Sequence, residues 1–167
     1  YALTYYDNIR VVLGKAPSIY ELAYLSSNIL LAPSLYEPFG LISLEAMITG
    51  NPVVASYTGG LSETVLDILK HGLNGTGLHV EPGDARDLAF KTIDLTLFME
   101  TQYLDPWTSR WFDIVERISN RLLRKLLISN PNAPYIIRRR CISRALEYTW
   151  SRSVDKLLEV YGLKTKG

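Results

Sequence analysis

The chain has 167 residues, of which 47% are hydrophobic and 21% charged, and its formal net charge is +1. This length is enough for one domain with its own core. The balanced charge argues against broad electrostatic binding to nucleic acid or to an anionic membrane. One cysteine, Cys141, excludes an intrachain disulfide, and two histidines cannot build a histidine-rich metal site. We therefore expect a cytoplasmic protein with no metal, no nucleic-acid partner and no membrane partner.

The beginning of the chain shows no secretory signal pattern, and no apolar run approaches the roughly 18 to 20 residues that span a bilayer. The first residue is Tyr1 rather than methionine, and a strand-like pattern follows almost at once at residues 9–13. These two features predict a piece of a longer protein.

The first half of the chain alternates short apolar runs with helical patterns. The apolar runs predict strands at residues 9–13, 28–32, 52–56 and 78–80. Apolar residues at helical spacing predict helices at residues 18–25 with Ser18 as N-cap, at 40–48, at about 61–69, and from the cap Asp84 toward Met99. This alternation indicates βαβ units, and it predicts an α/β fold with a Rossmann-like parallel sheet and flanking helices. Open sheets usually carry about five strands or more, so one or two strands are expected upstream of Tyr1.

From about Pro106 the pattern becomes purely helical, with predicted helices over residues 107–129, 135–148 and 151–161. The chain is therefore predicted to divide into residues 1–100, a partial Rossmann-like domain, and residues 101–167, a helical C-terminal region that packs on it. The boundary between them is soft.

Residues 33–45 (PSLYEPFGLISLE) carry the first chemical signal. They follow the carboxyl end of a predicted parallel strand and open a helix, which is where open α/β sheets bind ligands. The first amides of that helix, from Phe39 to Leu41, have no intrahelical partner and suit a phosphate or another anion. Gly40 allows the backbone to approach a ligand closely.

Two glutamates in this segment are eight residues apart. Glu37 lies at the lip of the loop, where it could accept hydrogen bonds from sugar hydroxyls. Glu45 lies two turns into the helix and could reach ribose hydroxyls. Taken singly, each has an ordinary structural interpretation, because a Glu-Pro pair before a helix is often a turn and a helical glutamate is usually solvated.

A second signal follows one βα unit later, at residues 56–61 (SYTGGL). Thr58, Gly59 and Gly60 again follow a predicted strand and open a helix, and the glycines expose amides that can cradle a phosphate. A glycine-rich turn of this kind is often only structural. Two turns on the same sheet edge, each with amides that can bind an anion, indicate a binding site more strongly than either turn alone.

With these residues in view, residues 28–88 resemble the C-terminal domain of GT-B-type retaining glycosyltransferases, above all that of glycogen and starch synthases. The motifs that carry the resemblance are residues 31–41 (LAPSLYEPFGL), 44–47 (LEAM), 50–55 (GNPVVA), 58–61 (TGGL) and 77–84 (GLHVEPGD). They include the two glutamates whose spacing marks these enzymes. Thr149-Trp150 also resembles a pair near the end of such domains.

The resemblance implies a role for each motif residue. Glu37 would hold the donor sugar near its 3- and 4-hydroxyls and stabilise charge at the anomeric carbon, and Glu45 would bind the ribose. Backbone at Phe39, Gly40 and Leu41 and at Thr58, Gly59 and Gly60 would bind the sugar and the diphosphate. The donor would be ADP-glucose or UDP-glucose, the acceptor an α-1,4-glucan, and no cofactor or metal is implied.

The sequence also departs from the family pattern. The family places an arginine and a lysine on the diphosphate, and no segment here matches them; Lys15 is not that lysine. The segment that would form the acceptor-binding N-terminal domain is likewise expected upstream of Tyr1. The chain is thus expected to be a glycosyltransferase domain that is inactive by itself. Two alternatives remain, namely a related retaining transferase with a sucrose-, trehalose- or lipid-type acceptor, and a non-catalytic nucleotide-binding module.

Other polar residues receive structural interpretations. The cluster Arg138-Arg139-Arg140, with Arg144 one turn on, is expected to be a solvated helix face or an interdomain contact. His71 is expected to lie at a helix C-terminus, and His79 to be a packing or surface residue in a strand. Cys141 is expected to be inert.

Overall fold

The computed structural model describes residues 8–9, 11 and 17–162, and its centre is a parallel sheet of three strands. The strands are β1 (Leu30–Ala32), β2 (Val53–Ser56) and β3 (Gly77–Val80), hydrogen-bonded in that order. Every residue of β2 and β3 is buried, as expected for parallel strands covered by helices. The predicted α/β, Rossmann-like fold is therefore confirmed. The strand predicted at residues 9–13 falls largely outside the described residues.

Helices connect and cover these strands. The first five are α1 (Pro17–Ser26), α2 (Leu41–Ile48), α3 (Gly59–Thr64), α4 (Ile68–His71) and α5 (Ala85–Glu100). The Asp84 carboxylate caps α5 by accepting hydrogen bonds from two amides of its first turn, as predicted. Ser18 was expected to cap α1, but the helix already includes Pro17, so Ser18 lies inside it. A proline in the first turn is compatible with helix geometry because its missing N–H has no intrahelical partner there.

The helix predicted over residues 61–69 is two helices, α3 and α4, separated by an extended segment. The break occurs because the backbone at residues 66–67 pairs with β3 instead: the carbonyl of Leu66 accepts from the amides of Thr76 and Gly77. Asp67 then caps α4 by accepting from the Leu69 amide at 2.9 Å. A tertiary pairing therefore overrides the local helical pattern here.

The second half is helical, as predicted, with α6 (Ser109–Arg117), α7 (Arg121–Ser129), α8 (Ala133–Ala145) and α9 (Trp150–Val160). A single helix over residues 107–129 is wrong, because α6 ends before Ser119. The buried carboxylate of Asp94 on α5 accepts hydrogen bonds from Ser119, both amide and hydroxyl, and from the Asn120 amide. These bonds fix the turn between α6 and α7.

Arg138 attaches α8 to the sheet half of the molecule. Its guanidinium donates four hydrogen bonds, to side chains or carbonyls of Gln102, Gly50, Asn51 and Asn28. In this cluster of arginines, Arg138 and Arg144 therefore contact the sheet half, whereas Arg139 is exposed.

The buried core is continuous from the strands into the helical region, running from β2 and β3 through α5 to α6, α7 and α8. Cys141 is fully buried on α8, and burial raises the pKa of its thiol to about 12. This supports its predicted inertness, because the thiolate is the reactive form. Among the described residues, no helix has the length and apolar character needed to cross a membrane.

Candidate functional site

The two sequence motifs meet at one edge of the sheet. β1 and β2 are parallel, with Ala32 opposite Ala55, so the loops that follow them leave the sheet on the same side. Residues 33–40 connect β1 to α2, and Tyr57 and Thr58 connect β2 to α3. This is the edge at which parallel α/β sheets bind ligands.

The first turn is organised around the carboxylate of Glu37. Its Oε1 accepts a hydrogen bond from the Gly40 amide at 3.1 Å and a long one from the Phe39 amide at 3.5 Å. Gly40 is the N-cap of α2 and has a left-handed backbone, with φ 74°. The Glu37 side chain is half-buried, and no donor within the described ranges reaches its Oε2.

The second turn packs directly against the first. The Gly60 amide donates to the carbonyl of Glu37 at 2.7 Å. A Cβ atom at Gly60 would lie 2.2 Å from the Phe39 carbonyl carbon, and one at Gly59 would lie 2.2 Å from the Glu37 carbonyl oxygen. Both distances are far below contact, so only glycine allows the two backbones to approach this closely. The glycines of the motif therefore serve the packing of the two turns.

The two helices that start at this edge lack side-chain caps. α2 begins after Gly40 and α3 after Thr58, and neither N-cap side chain accepts a bond from its helix. Of the other described helices, α4, α5, α6, α7 and α9 are each capped by an Asp, Asn or Thr side chain, and α8 is not. The structure thus leaves the first amides of α2 and α3 without the usual acceptor.

The amides left without an acceptor are those of Leu41, Ile42 and Gly59. None of the three donates a hydrogen bond within the part of the chain that the structure describes. The amides of Gly40 and Gly60, which the sequence also marks, already have partners in Glu37. Free amides at a helix N-terminus lie at the positive end of the helix dipole and attract anions.

Glu45 lies in an open groove between α1 and α2. Its Oε2 accepts a hydrogen bond from the Tyr24 hydroxyl at 3.1 Å. Burial, reinforced by this bond and by the charge of Glu45, raises the pKa of Tyr24 to about 12. The groove has a volume of about 870 Å³ and is lined by both apolar and polar side chains, among them Tyr20, Leu25 and Ile42.

Tyr24 lines the same groove, although the motifs do not indicate it. The available signal is its position on the predicted helix before β1, from which it can reach the helix that carries Glu45. Its contact with Glu45 joins residues 21 positions apart. Such a contact becomes visible only when α1 packs beside α2.

Phe39 and Thr58 complete the predicted site. Phe39 is 74% exposed at the tip of the first turn, and the Thr58 hydroxyl donates to the Leu35 carbonyl at 3.4 Å. The structure therefore brings Glu37, Phe39, Gly40, Leu41, Thr58, Gly59 and Gly60 to one edge, with Glu45 in the adjoining groove. Among the described residues no cluster of three or more His, Cys, Asp or Glu could hold a metal ion.

The geometry agrees with comparisons to known proteins. The family model described as glycosyl transferases group 1 matches residues 4–96, which include both turns and the sheet. The chain belongs to this family of glycosyltransferases. The resemblance of residues 28–88 to the C-terminal half of a GT-B glycosyltransferase is thereby confirmed.

Members of this glycosyltransferase family with curated names align along the chain. A glycogen synthase of Anoxybacillus flavithermus is 32% identical over 159 residues, which make up 95% of this chain and 26% of that protein. Glycogen synthase 2 of Geobacter sulfurreducens is 38% identical over 90 residues, 54% of this chain and 18% of that protein. The structure of a sucrose-phosphate synthase from Thermosynechococcus elongatus is similar with a TM-score of 0.55 and 25% identity, over 90% of this chain and 29% of that one.

The glycosyltransferase relatives are much longer than this chain. It spans 15% to 30% of the length of eight curated relatives that it matches. In those relatives the matched segment is one part of a longer polypeptide. The comparisons therefore identify the family and this half of the fold.

Proposed function

We propose that the chain is the donor-binding half of a retaining glucosyltransferase that transfers glucose from ADP-glucose or UDP-glucose to an α-1,4-glucan. The observation that carries the proposal is that two uncapped helix N-termini meet at Glu37, whose carboxylate accepts from the Gly40 amide and whose carbonyl accepts from the Gly60 amide. An anionic diphosphate fits the free amides, and a carboxylate beside it fits the positive charge that develops on the sugar.

The diphosphate is proposed to lie against the free amides of Leu41, Ile42 and Gly59. An anion at a helix N-terminus gains about 0.3 to 1 kcal/mol, and up to about 2 kcal/mol where it is partly buried. These amides therefore contribute to positioning but do not neutralise two phosphates. The basic clamp expected from the resemblance, an arginine and a lysine, would supply the remaining charge.

Glu37 is proposed to act on the sugar itself. Because its Oε1 is held by the amides of Phe39 and Gly40, the carboxylate has a fixed position at the loop lip. Its Oε2 is then available for the sugar hydroxyls. During transfer the bond from the anomeric carbon to the diphosphate oxygen breaks, and the acceptor hydroxyl oxygen bonds to that carbon on the same face. The leaving diphosphate oxygen takes the acceptor proton, so the protein supplies position and charge stabilisation rather than a nucleophile.

The nucleoside is proposed to lie in the groove between α1 and α2. Glu45 would accept hydrogen bonds from the ribose hydroxyls, with its carboxylate oriented by Tyr24. The apolar lining supplied by Leu25 and Ile42 would cover part of the nucleoside. In this proposal the sugar, the diphosphate and the nucleoside would lie in sequence along one edge of the sheet.

A second candidate is a transferase of the same retaining type with a sugar phosphate as acceptor. The structural similarity to the sucrose-phosphate synthase, with a TM-score of 0.55 between the two structures, favours this candidate. The donor site is the same in both candidates, so only the acceptor distinguishes them.

The full-length protein provides the test. Calorimetric titration with ADP-glucose, UDP-glucose and ADP would measure donor binding, and incorporation of labelled glucose into glycogen would measure transfer. We expect micromolar-to-millimolar donor binding, the usual range for enzyme substrates, together with transfer to glycogen. Transfer to a sugar phosphate instead would support the second candidate. Donor binding without transfer to any acceptor would refute both and would indicate a non-catalytic nucleotide-binding module.

A further inference from the structure

Two buried hydroxyls lie between the two turns of the donor site. Ser43, in the first turn of α2, and Thr64, the last residue of α3, are both almost fully buried. Their hydroxyl oxygens are 2.7 Å apart. The Thr64 hydroxyl also lies 2.9 Å from the Gly60 carbonyl, and the Ser43 hydroxyl lies 2.6 Å from the Gly40 carbonyl. The pair thus contacts both turns at once.

The hydrogens of these two hydroxyls are shared among three short contacts. Three short distances are served by only two hydroxyl hydrogens. The Gly40 carbonyl already accepts from the Ser43 amide at 3.0 Å and from the Leu44 amide at 3.4 Å. Either Ser43 donates to the Gly40 carbonyl and Thr64 to Ser43, or Ser43 donates to Thr64 and Thr64 to the Gly60 carbonyl. In both arrangements the pair forms a short relay from α2 to α3.

The relay passes through the tightest part of the site. A Cβ atom at Gly40 would lie 2.7 Å from the Thr64 hydroxyl oxygen and 2.9 Å from the Gly60 carbonyl. Few other side chains could fit between the turns at this point. The separation of the turns therefore depends on backbone contact and on this pair of hydroxyls.

Thr64 is also held from the other side. Arg144 on α8 donates to the carbonyl of Thr64 at 3.2 Å and to that of Glu63 at 2.6 Å. The Tyr148 hydroxyl, which lies 2.7 Å from Arg144, donates to the same Glu63 carbonyl at 3.3 Å. The guanidinium satisfies carbonyls at the end of α3, where a cation is favoured.

We propose that Thr64 is a positioning residue for glucosyl transfer, which through Ser43 holds the Glu37 turn and the Gly59-Gly60 turn at a fixed separation. The inference rests on the proposed function, because the separation matters for transfer only if both turns bind the donor. A shift of about 1 Å in reacting groups can lower a rate by about 10²-fold. Loosening the relay therefore acts mainly on turnover.

Three variants and one control of the full-length protein test this role. Thr64→Val keeps the side-chain shape but removes the hydroxyl, Ser43→Ala removes the other member, and Thr64→Ser restores the hydroxyl. Thr101→Val is the matched control, because Thr101 is buried and its hydroxyl donates to the Phe98 carbonyl at 2.7 Å, at the far end of α5. Thr64→Val, Ser43→Ala and Thr101→Val each remove a buried hydroxyl that lies within hydrogen-bond distance of a backbone carbonyl.

We expect Thr64→Val and Ser43→Ala to lower kcat by about 10²-fold, while the KM for the nucleotide sugar changes by less than about threefold. Thr64→Ser retains most of kcat. Thr101→Val lowers the unfolding temperature by a similar amount to Thr64→Val but leaves kcat unchanged. Hydrogen exchange of the peptide covering residues 57–64 is faster in Thr64→Val than in Thr101→Val, because the Gly60 amide opens more often.

The outcomes separate this inference from the proposed function. If the unmodified protein shows no donor-dependent transfer, both are refuted. If it is active and both Thr64→Val and Ser43→Ala keep kcat within about twofold, the inference alone is refuted. If Thr64→Val fails to fold, the other two variants decide. A kcat within about twofold of the unmodified protein in Ser43→Ala, or a large loss of kcat in Thr64→Ser, refutes the inference.

Discussion

The carbonyl oxygen of Glu37 accepts a hydrogen bond of 2.7 Å from the Gly60 amide. The bond joins the loop after β1 to the start of α3, across 23 positions of sequence. It means that the carboxylate proposed to act on the sugar and the turn proposed to bind the diphosphate are parts of one rigid unit. A disturbance of either turn is therefore transmitted to the other.

Replacement of Gly60 by alanine tests this unit directly. Because the new Cβ atom would lie 2.2 Å from the Phe39 carbonyl carbon, the two turns must separate, at a cost of about 3 kcal/mol or more. We expect Gly60→Ala to lower the unfolding temperature and to abolish transfer. Gly72→Ala is the control, because Gly72 has nothing within 4 Å of its Cβ position. Its backbone, with φ 55° and ψ −128°, is a conformation that few residues other than glycine adopt and costs alanine about 1 to 3 kcal/mol, so the variant should be destabilised but active.

Removal of the Glu37 carboxylate should affect turnover rather than nucleotide affinity. We expect Glu37→Ala and Glu37→Gln to lower kcat by about 10³-fold or more, because charge at the anomeric carbon is no longer stabilised. Affinity for the free nucleoside diphosphate, measured by calorimetry, should change by less than about threefold. Glu63→Ala is the control, since Glu63 is exposed on α3. Near-normal turnover of both Glu37 variants would remove this residue from the site.

Substitutions in the Glu45–Tyr24 pair should affect nucleotide affinity rather than turnover. Glu45→Gln removes the charged acceptor proposed for the ribose, and we expect the nucleotide Kd to rise roughly tenfold. Tyr24→Phe leaves the carboxylate but removes the hydroxyl that holds it, so a smaller rise of about threefold to fivefold is expected. Tyr135→Phe, at an exposed position on α8, should leave Kd unchanged. Unaltered nucleotide binding in both Glu45→Gln and Tyr24→Phe would exclude this groove as the nucleoside site.

Features encoded locally could be predicted from the sequence. Asp84 follows a Pro-Gly turn and precedes an apolar periodic segment, so its capping role was predictable and is confirmed. The chain order of strands and helices in the sheet half follows from the same short-range signals. These predictions succeed because cap, turn and helix lie within a few residues of one another.

Features that depend on distant residues could not be predicted. The break between α6 and α7 requires Asp94, which lies 25 positions before Ser119. The strand predicted from residue 28 begins at Leu30, and the Asn28 side chain instead accepts a bond from Arg138, 110 positions away. In the site, the sequence marks Gly40 and Gly60 as donors, but their amides are used inside the protein because the two turns pack together.

Arg138 offers a test of how the helical region is attached to the sheet half. Lysine keeps the charge but lacks the planar fork, so it cannot reproduce four hydrogen bonds to four residues. We expect Arg138→Lys to destabilise the protein by about 2 to 3 kcal/mol, seen as a lower midpoint of thermal unfolding. Arg139→Lys, at the neighbouring exposed position, should have no measurable effect. Equal unfolding midpoints for the two variants would show that the Arg138 bonds do not hold α8 in place.

His79 is buried on β3 without a hydrogen bond to either ring nitrogen within the described part of the chain. Burial lowers the pKa of His79 from the usual 6.5, against the opposing effects of Asp67 and the Leu61 backbone, and Lys70 and Lys91 act in the same direction as burial. The Nδ1 atom lies 4.0 Å from the Asp67 carboxylate, and the Tyr57 ring covers the imidazole at 5.0 Å between centroids. The neutral imidazole is therefore the form that the fold accommodates.

The lowered pKa of His79 determines how the free energy of unfolding changes with pH. Below about pH 6.5 the unfolded chain gains a proton at His79 that the folded chain does not accept, so stability falls as the pH decreases. Above the unfolded pKa the contribution is constant. We expect His79→Leu to flatten the decline of the unfolding temperature between about pH 6.5 and 5, because leucine has no proton to gain. His71→Leu is the control, since His71 is the other histidine of the chain and is exposed at the end of α4. If His79→Leu retains the full decline seen in the unmodified protein, the acid sensitivity arises elsewhere and the buried imidazole does not contribute to it.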